Sequence, residues 1–214
     1  MKKIDVARQV GAVVREVGSR EYEGKTARVV IATRTYDTTV DDVWDALTSA
    51  ERIPRWFLPI TGDLRIGGRY QLKGNAGGEI RRCEPPRLLA VTWEFGGSTS
   101  WLTIKLGDDP AGGTRLELEH IAHVDDGMWD QFGPGAVGVG WDLAIMGLGR
   151  HIETGATVDP NEAAAWSASD EGKDFVRRSS ADWCRASIAA GTDEAAAKAA
   201  ADRTTAFYSG EHKD

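Results

Sequence analysis

Residues 38–59 read TTVDDVWDALTSAERIPRWFLP. This stretch decides the fold because it separates one β-branched segment before it from a series of short strand-like segments after it. Either of its first two threonines can cap a helix, and the aspartates that follow lie where the helix dipole favours acidic side chains. Pro54 must then kink or end a second short helix. The stretch therefore predicts two short helices, the second of which ends at Trp56 and Phe57.

On both sides of this stretch the sequence has the alternation of apolar and polar residues that is typical of β-strands. ARVVIATRTY (27–36) precedes it, with Arg28 and Arg34 on one face and Val29, Ile31 and Thr33 on the other. Five further segments follow, separated by Gly, Pro and Asp turn signals: RYQLKGN, EIRRC, RLLAVTWEF, STSWLTIKL and TRLELEHIA. Turns at this regular spacing predict an antiparallel meander.

From Pro134 the period changes to that of a helix. Apolar residues recur at spacings of 4, 4, 3 and 4, which defines one helical face: Val137, Trp141, Ile145, Leu148 and Ile152. Gly138 borders this face, and a glycine weakens a helix by roughly 1 kcal/mol relative to alanine. Its presence predicts that the helix approaches the sheet closely or leaves room for a ligand there.

The two ends of the chain are expected to be helical. Four valines at helical spacing predict a short helix within residues 4–17, and residues 160–210 are Ala-rich with three helical segments. The tail should pack on the domain or on a second subunit in a homodimer, because it carries Trp166, Val176, Trp183 and Phe207. The chain thus divides into an N-terminal extension (1–26), a domain (27–152) and a helical extension (153–214).

Composition excludes several classes of function. The 214 residues carry a net charge of −7, which is unlike the basic footprint of a nucleic-acid-binding protein. No stretch approaches the ~18 apolar residues of a membrane span, and charged residues interrupt the N-terminus where a signal peptide would be apolar. Cys83 and Cys184 have neither metal nor redox spacing, so we expect free thiols and a cytoplasmic protein.

The order and spacing of these segments resemble the START-like (SRPBCC) superfamily, whose members have the helix-grip fold. Within it the chain is most similar to the branch of homologues of the activator of the heat shock protein 90 ATPase. The resemblance covers about residues 27–152 and rests on four motifs: VDDVWDALTSAERIPRWF (40–57), DLRIGGRY (63–70), GGEIRRCEPPRLLAVTWEF (77–95) and TRLELEH (114–120). It implies an α+β fold, in which a curved antiparallel sheet of about six to seven strands surrounds a long C-terminal helix, here with an extra helical tail.

The resemblance further implies a cavity between sheet and helix that binds a small apolar molecule. The residues expected to line it are Trp56, Phe57, Tyr70, Leu72, Val91, Trp93, Ile104, Leu118, His120, Val137, Gly138, Trp141, Ile145 and Leu148. Trp56 and Phe57 match the family's aromatic position beside the cavity mouth, although a satellite core cluster is an equal alternative. No cofactor is expected.

Three motifs have simpler interpretations than the chemistry they suggest. GPGAVG (133–138) fits a dinucleotide-binding pattern, but it lacks the strand–helix–strand context and instead starts a helix. His120 and His123 point to opposite sides of a strand, which argues against a metal pair. His120 faces inward among leucines, so a hydrogen-bonded core histidine or a ligand anchor is favoured over a general base.

Two other functions remain open besides ligand binding. The family resemblance suggests a co-chaperone that contacts a heat-shock ATPase. Alternatively, the protein is an enzyme, a cyclase or hydrolase that uses His120 and Tyr70 as acid–base groups on an apolar molecule. No nucleophile motif or carboxylate pair identifies a reaction, and no catalytic residue is assigned.

Overall fold

The computed structural model describes residues 4–211, which contain eight helices and eight strands. The helices are α1 (Val6–Gly11), α2 (Val40–Thr48), α3 (Ile53–Trp56), α4 (Asp126–Phe132), α5 (Gly135–Thr154), α6 (Pro160–Ala168), α7 (Asp170–Ala189) and α8 (Glu194–Tyr208). The strands are β1 (Val14–Tyr22), β2 (Lys25–Tyr36), β3 (Ile60–Gly62), β4 (Arg69–Leu72), β5 (Gly77–Glu84), β6 (Leu88–Phe95), β7 (Ser98–Asp108) and β8 (Thr114–Ala122). None of the helices within residues 4–211 is long and apolar enough to cross a membrane.

The strands form one open, curved antiparallel sheet in the order β1-β2-β8-β7-β6-β5-β4-β3. This confirms the helix-grip fold, in which α5 is the long helix. The sheet has two more strands than the segments recognised in the sequence, because β1 and the three-residue β3 lacked a clear alternating pattern. The helix after β2 begins as predicted, since the Thr39 hydroxyl accepts a hydrogen bond from the Asp42 amide.

The N-terminal helix is shorter than predicted. α1 ends at Gly11, and the chain continues as β1 from Val14, so the prediction of helix up to residue 17 is wrong for its last residues. Valine spacing alone suggested a helix, but adjacent β-branched residues favour a strand, and β1 pairs with β2 in the sheet. Glu23 and Gly24, both with positive φ, form the turn between these strands.

The chain forms two compact units, each built from separate segments. The terminal unit contains the described residues of 1–32, 123–143 and 159–214, and the sheet unit contains residues 33–122 and 144–158. The boundaries therefore fall inside β2, after Ala32, and inside α5, after Leu143. The sequence had suggested three consecutive segments instead.

The helical tail is docked, as its apolar residues predicted. In the terminal unit, α7 packs against α1 and β1, and α8 packs against α4 and α7. Phe175 and Trp183 of α7 are each only 1% exposed, which makes them the centre of this core. Phe207 is the exception among the predicted contacts, because it is 58% exposed.

A buried ion pair joins three elements of the terminal unit. One carboxylate oxygen of Asp142 accepts hydrogen bonds from Arg15 Nε (2.9 Å), Ser179 Oγ (2.5 Å) and Trp183 Nε1 (3.2 Å). Burial raises the pKa of Asp142, while the charge of Arg15 and these hydrogen bonds act in the opposite direction. Removing Arg15 would leave Asp142 buried without a counter-charge, whereas Arg15 also pairs with Asp182 of α7 at 2.9 Å. These ion pairs fix β1 and α7 on the first half of α5.

Candidate ligand-binding site

The sheet unit carries a buried apolar surface on one face of strands β6 to β8. Leu102 of β7 lies opposite both Val91 of β6 and His120 of β8. Two residues further along β7, Ile104 lies opposite Leu118 of β8. Side chains at paired positions lie on the same face of a sheet. These five residues, all buried, define the inner face. The structure therefore brings together four of the predicted site residues, namely Val91, Ile104, Leu118 and His120.

Tyr70 and Leu72 of β4 are also buried, and Tyr70 is held by the backbone. It lies opposite Gly78, and its hydroxyl donates a 2.7 Å hydrogen bond to the Thr92 carbonyl. Burial raises the pKa of Tyr70 well above its usual value, which opposes loss of its proton. A structural role accounts for these contacts, and they do not favour Tyr70 as an acid–base group.

His120 has a partner within the sheet. Its Nε2 lies 2.7 Å from Ser100 Oγ, and the Ser100 hydroxyl donates to the carbonyl of Trp93 at 3.0 Å. Because the single hydroxyl proton of Ser100 is used in that bond, Ser100 accepts from His120, which places a proton on Nε2. Burial lowers the pKa of His120 to about 4. The ring is therefore neutral at neutral pH.

Arg34 is the feature of this face that the sequence analysis did not identify as a site residue. It is 6% exposed, and it lies two residues before the buried Tyr36 on the same side of β2. The Tyr36 hydroxyl donates a 3.0 Å hydrogen bond to the carbonyl of Ile145 in α5. This contact shows that the Arg34 side of β2 is directed toward the second half of α5.

Gly149 of α5 makes room for the Arg34 guanidinium. A Cβ atom at position 149 would lie 2.8 Å from Arg34 Nη2 and 3.0 Å from Cζ. The guanidinium carbon also lies 5.2 Å from the centre of the Tyr36 ring, a cation–π distance. The sequence signal that could have indicated this site is the alternation of Ala32, Arg34 and Tyr36 on one side of β2, because the first and the last of these are apolar or aromatic.

The guanidinium has unused hydrogen-bonding capacity. Across residues 4–211, no acceptor reaches the buried Nε and Nη1 atoms of Arg34. Removing an ion from water costs several kcal/mol unless a counter-charge compensates. Contact with a tyrosine ring offsets only about 0.5–2 kcal/mol of that cost. The arrangement is therefore suited to bind an anionic group.

The aromatic pair at the end of α3 lies beside α5 in the sheet unit. Trp56 and Phe57 stack with ring centres 5.4 Å apart, and both are half-buried. Trp56 Nε1 donates to the carbonyl of Ala46 at 2.9 Å, and its own carbonyl lies 2.8 Å from where a Cβ at Gly147 would be. Close packing on the helix thus accounts for the backbone position of Trp56.

The predicted residues of α5 separate into two groups. Ile145 and Leu148 are buried in the sheet unit, whereas Val137, Gly138 and Trp141 belong to the terminal unit. Val137 is 39% exposed, so its prediction as an inward-facing residue is wrong. A Cβ at position 138 would lie 2.3 Å from Trp183 Cε2, so the neighbour of Gly138 is the tail, whereas the sequence predicted either close approach to the sheet or room for a ligand.

The comparison with protein families identifies one family. The family described as "Activator of Hsp90 ATPase homolog 1-like protein" matches residues 37–153, more than half of the chain. Members of this fold family commonly bind hydrophobic ligands, and the family includes activators of the Hsp90 ATPase. A comparison with curated proteins gives no match.

Solved structures extend the similarity to most of the chain. The crystal structure of CalU16 from Micromonospora echinospora is 36% identical, with a TM-score of 0.62, over 82% of this chain and 98% of CalU16. The solution NMR structure of CalU16 gives 35% identity and a TM-score of 0.68 over 84% and 97%. Protein MLL2253 from Mesorhizobium loti is 22% identical (TM-score 0.52; 59% and 97% covered), which shows similarity of fold alone.

Proposed function

The chain belongs to the Activator of Hsp90 ATPase homolog 1-like family, and we propose that it binds a small, mainly apolar ligand that carries one acidic group. The ligand would lie between the sheet and the second half of α5, with its apolar part on the inner face. The observation that carries this proposal is that the buried Nε and Nη1 atoms of Arg34 have no acceptor among residues 4–211.

Arg34, rather than His120, is the expected partner of the polar end of the ligand. His120 and Ser100 already share a hydrogen bond, and the imidazole is neutral. Arginine presents two parallel N–H groups that match the two oxygens of a carboxylate. An anion at Arg34 would therefore complete its hydrogen bonds and offset the cost of its buried charge.

The apolar part of the ligand should supply most of the binding free energy. Burial of apolar surface contributes about 25 cal/mol per Å², so a chain of several methylene groups gains several kcal/mol on an apolar surface. The acidic group would then fix the orientation and distinguish acids from neutral analogues. This division between apolar body and polar anchor is usual in small-molecule sites.

Isothermal titration calorimetry with octanoate and octanol tests the proposal, because the two probes share an alkyl chain and differ in charge. We expect the wild-type protein to bind octanoate more tightly than octanol. The Arg34→Met variant should bind octanoate about tenfold or more weakly than the wild type and should bind octanol equally well. Arg65→Met is the control, since the Arg65 side chain is 80% exposed and pairs with Asp63. Equal affinity for both probes, or loss of octanoate binding in the control, would contradict the proposal.

A further inference from the structure

The terminal unit contains a cavity of about 480 Å³, and none of its lining residues belongs to the inner face. It lies among α4, the start of α5, α7 and α8. Its lining includes Trp129, Phe132, Ser180, Trp183, Cys184 and Ala200. Cavities of about 300–1,000 Å³ are typical of small-molecule sites.

The walls of this cavity are aromatic on one side and formed by alanine on the other. Trp129 and Phe132 of α4 and Trp183 of α7 supply the rings, while α8 contributes four alanines, Ala196, Ala197, Ala200 and Ala201. Thr204, one turn further along α8, donates a 2.8 Å hydrogen bond to the Phe132 carbonyl. This bond holds α8 beside α4, so the space results from small side chains on a fixed helix.

Ser180 provides a polar group that is unpaired. It is 1% exposed, and no described residue (4–211) forms a hydrogen bond with its Oγ. Serine within a helix commonly bonds the carbonyl four residues before it. The neighbouring Ser179, by contrast, donates a hydrogen bond to the Asp142 carboxylate. A buried hydroxyl that lines a cavity without a partner indicates a hydrogen-bonding group on a ligand.

Two residues at the rim of the cavity are charged, Arg28 and Asp130. Arg28 lies over the Trp129 ring, with its guanidinium carbon 4.9 Å from the ring centre, and it pairs with Asp126 at 3.1 Å. Asp130 lies on the same rim. Because the guanidinium of Arg28 is already paired with Asp126, the aromatic walls favour a flat, neutral molecule over an anion.

We propose that this cavity is a second ligand site, which takes a neutral planar aromatic molecule with one hydroxyl or carbonyl group bonded to Ser180. The site lies in the terminal unit, and all of its α7 and α8 lining falls outside the segment that matches the family. Its existence does not depend on ligand binding at Arg34.

The test uses 2-naphthol and naphthalene, which differ by one hydroxyl, with alanine methyl NMR of the full chain as the readout. We expect both probes to shift the methyl signals of Ala197 and Ala200. Ser180→Ala should lower the affinity for 2-naphthol about fivefold to tenfold and leave the affinity for naphthalene unchanged. Ser167→Ala, on an exposed face of α6, is the matched control. An equal effect of Ser180→Ala on both probes, or shifts only outside the cavity, would overturn the proposal.

The two free cysteines give an independent readout in the same protein. Cys184 lines the cavity, whereas Cys83 lies on β5 in the sheet unit. We expect 2-naphthol to slow alkylation of Cys184 by iodoacetamide and to leave Cys83 unaffected. Ala197→Leu should abolish this protection by filling the cavity, with Ala164→Leu on the exposed side of α6 as its control. Protection of both cysteines or of neither would show that 2-naphthol does not occupy the cavity.

Discussion

Burial of Arg34 should cost free energy, because its guanidinium is a buried cation in the sheet unit and two of its nitrogens have no acceptor among residues 4–211. Replacing it with methionine keeps an unbranched stem of similar length and removes the charge. We expect Arg34→Met to leave the free energy of unfolding unchanged or to raise it, by up to about 4 kcal/mol. Chemical denaturation measures this directly. A loss of stability would mean that Arg34 has a structural counter-charge after all.

His120 should make stability depend on pH. Its pKa falls from 6.5 to about 4 on folding, so the unfolded chain binds the proton more readily. The contribution, on the order of 3 kcal/mol, is present above pH 6.5 and is lost as pH falls toward 4. His120→Gln should remove this part of the pH dependence, which the difference between the two unfolding curves would show. An imidazole NMR titration with a midpoint near 6.5 in the folded protein would refute it.

The sequence patterns predicted correctly which side of the sheet a residue faces, but they did not predict what that residue contacts. Strict alternation placed Val91, Ile104 and His120 on one face, because the side-chain period of a strand is fixed. Alternation cannot show whether a charged residue on such a strand meets water or a helix, and Arg34 was therefore not recognised. Its environment depends on Gly149, which is more than one hundred residues away in the sequence.

At the scale of elements, α5 depends on glycines that admit its neighbours. Gly138→Ala would place a methyl group 2.3 Å from the indole of Trp183, which is 1% exposed. We expect a loss of about 1–3 kcal/mol in stability from overpacking, larger than the gain in helix propensity. Thermal unfolding measures it. Gly11→Ala in α1 is the control, since a Cβ there would have no atom within 4 Å, and it should be neutral or slightly stabilising.

The long helices were predictable because their apolar faces or caps are strong signals. α7 and α8 agree with the segments expected from the sequence, and Asp193 caps α8. β1 was missed because valine spacing suggested a helix, while strand pairing with β2 decides its conformation. Gly138 was assigned to the wrong neighbour, since helical spacing identifies a face without identifying what covers it.

At the scale of the molecule, the tail should stabilise residues far from it in sequence. The terminal unit combines residues 159–214 with residues 1–32 and 123–143, and its largest fully buried side chains, Trp183 and Phe175, belong to α7. Deletion of residues 159–214 should therefore abolish hydrogen-exchange protection in the described parts of 1–32 and in 123–143. Residues 33–122 should keep theirs. Uniform loss of protection, or none, would contradict the division into two units.

The glycines of α5 also predict which residues should occur together in homologous sequences. A side chain at position 149 would displace the guanidinium of Arg34, because a Cβ atom there would lie 2.8 Å from Nη2. Homologues should therefore keep or lose Arg34 and Gly149 together, as Gly138 and Trp183 should in the other unit. The first pair would then serve as a marker that sorts relatives into those that select acids and those that do not.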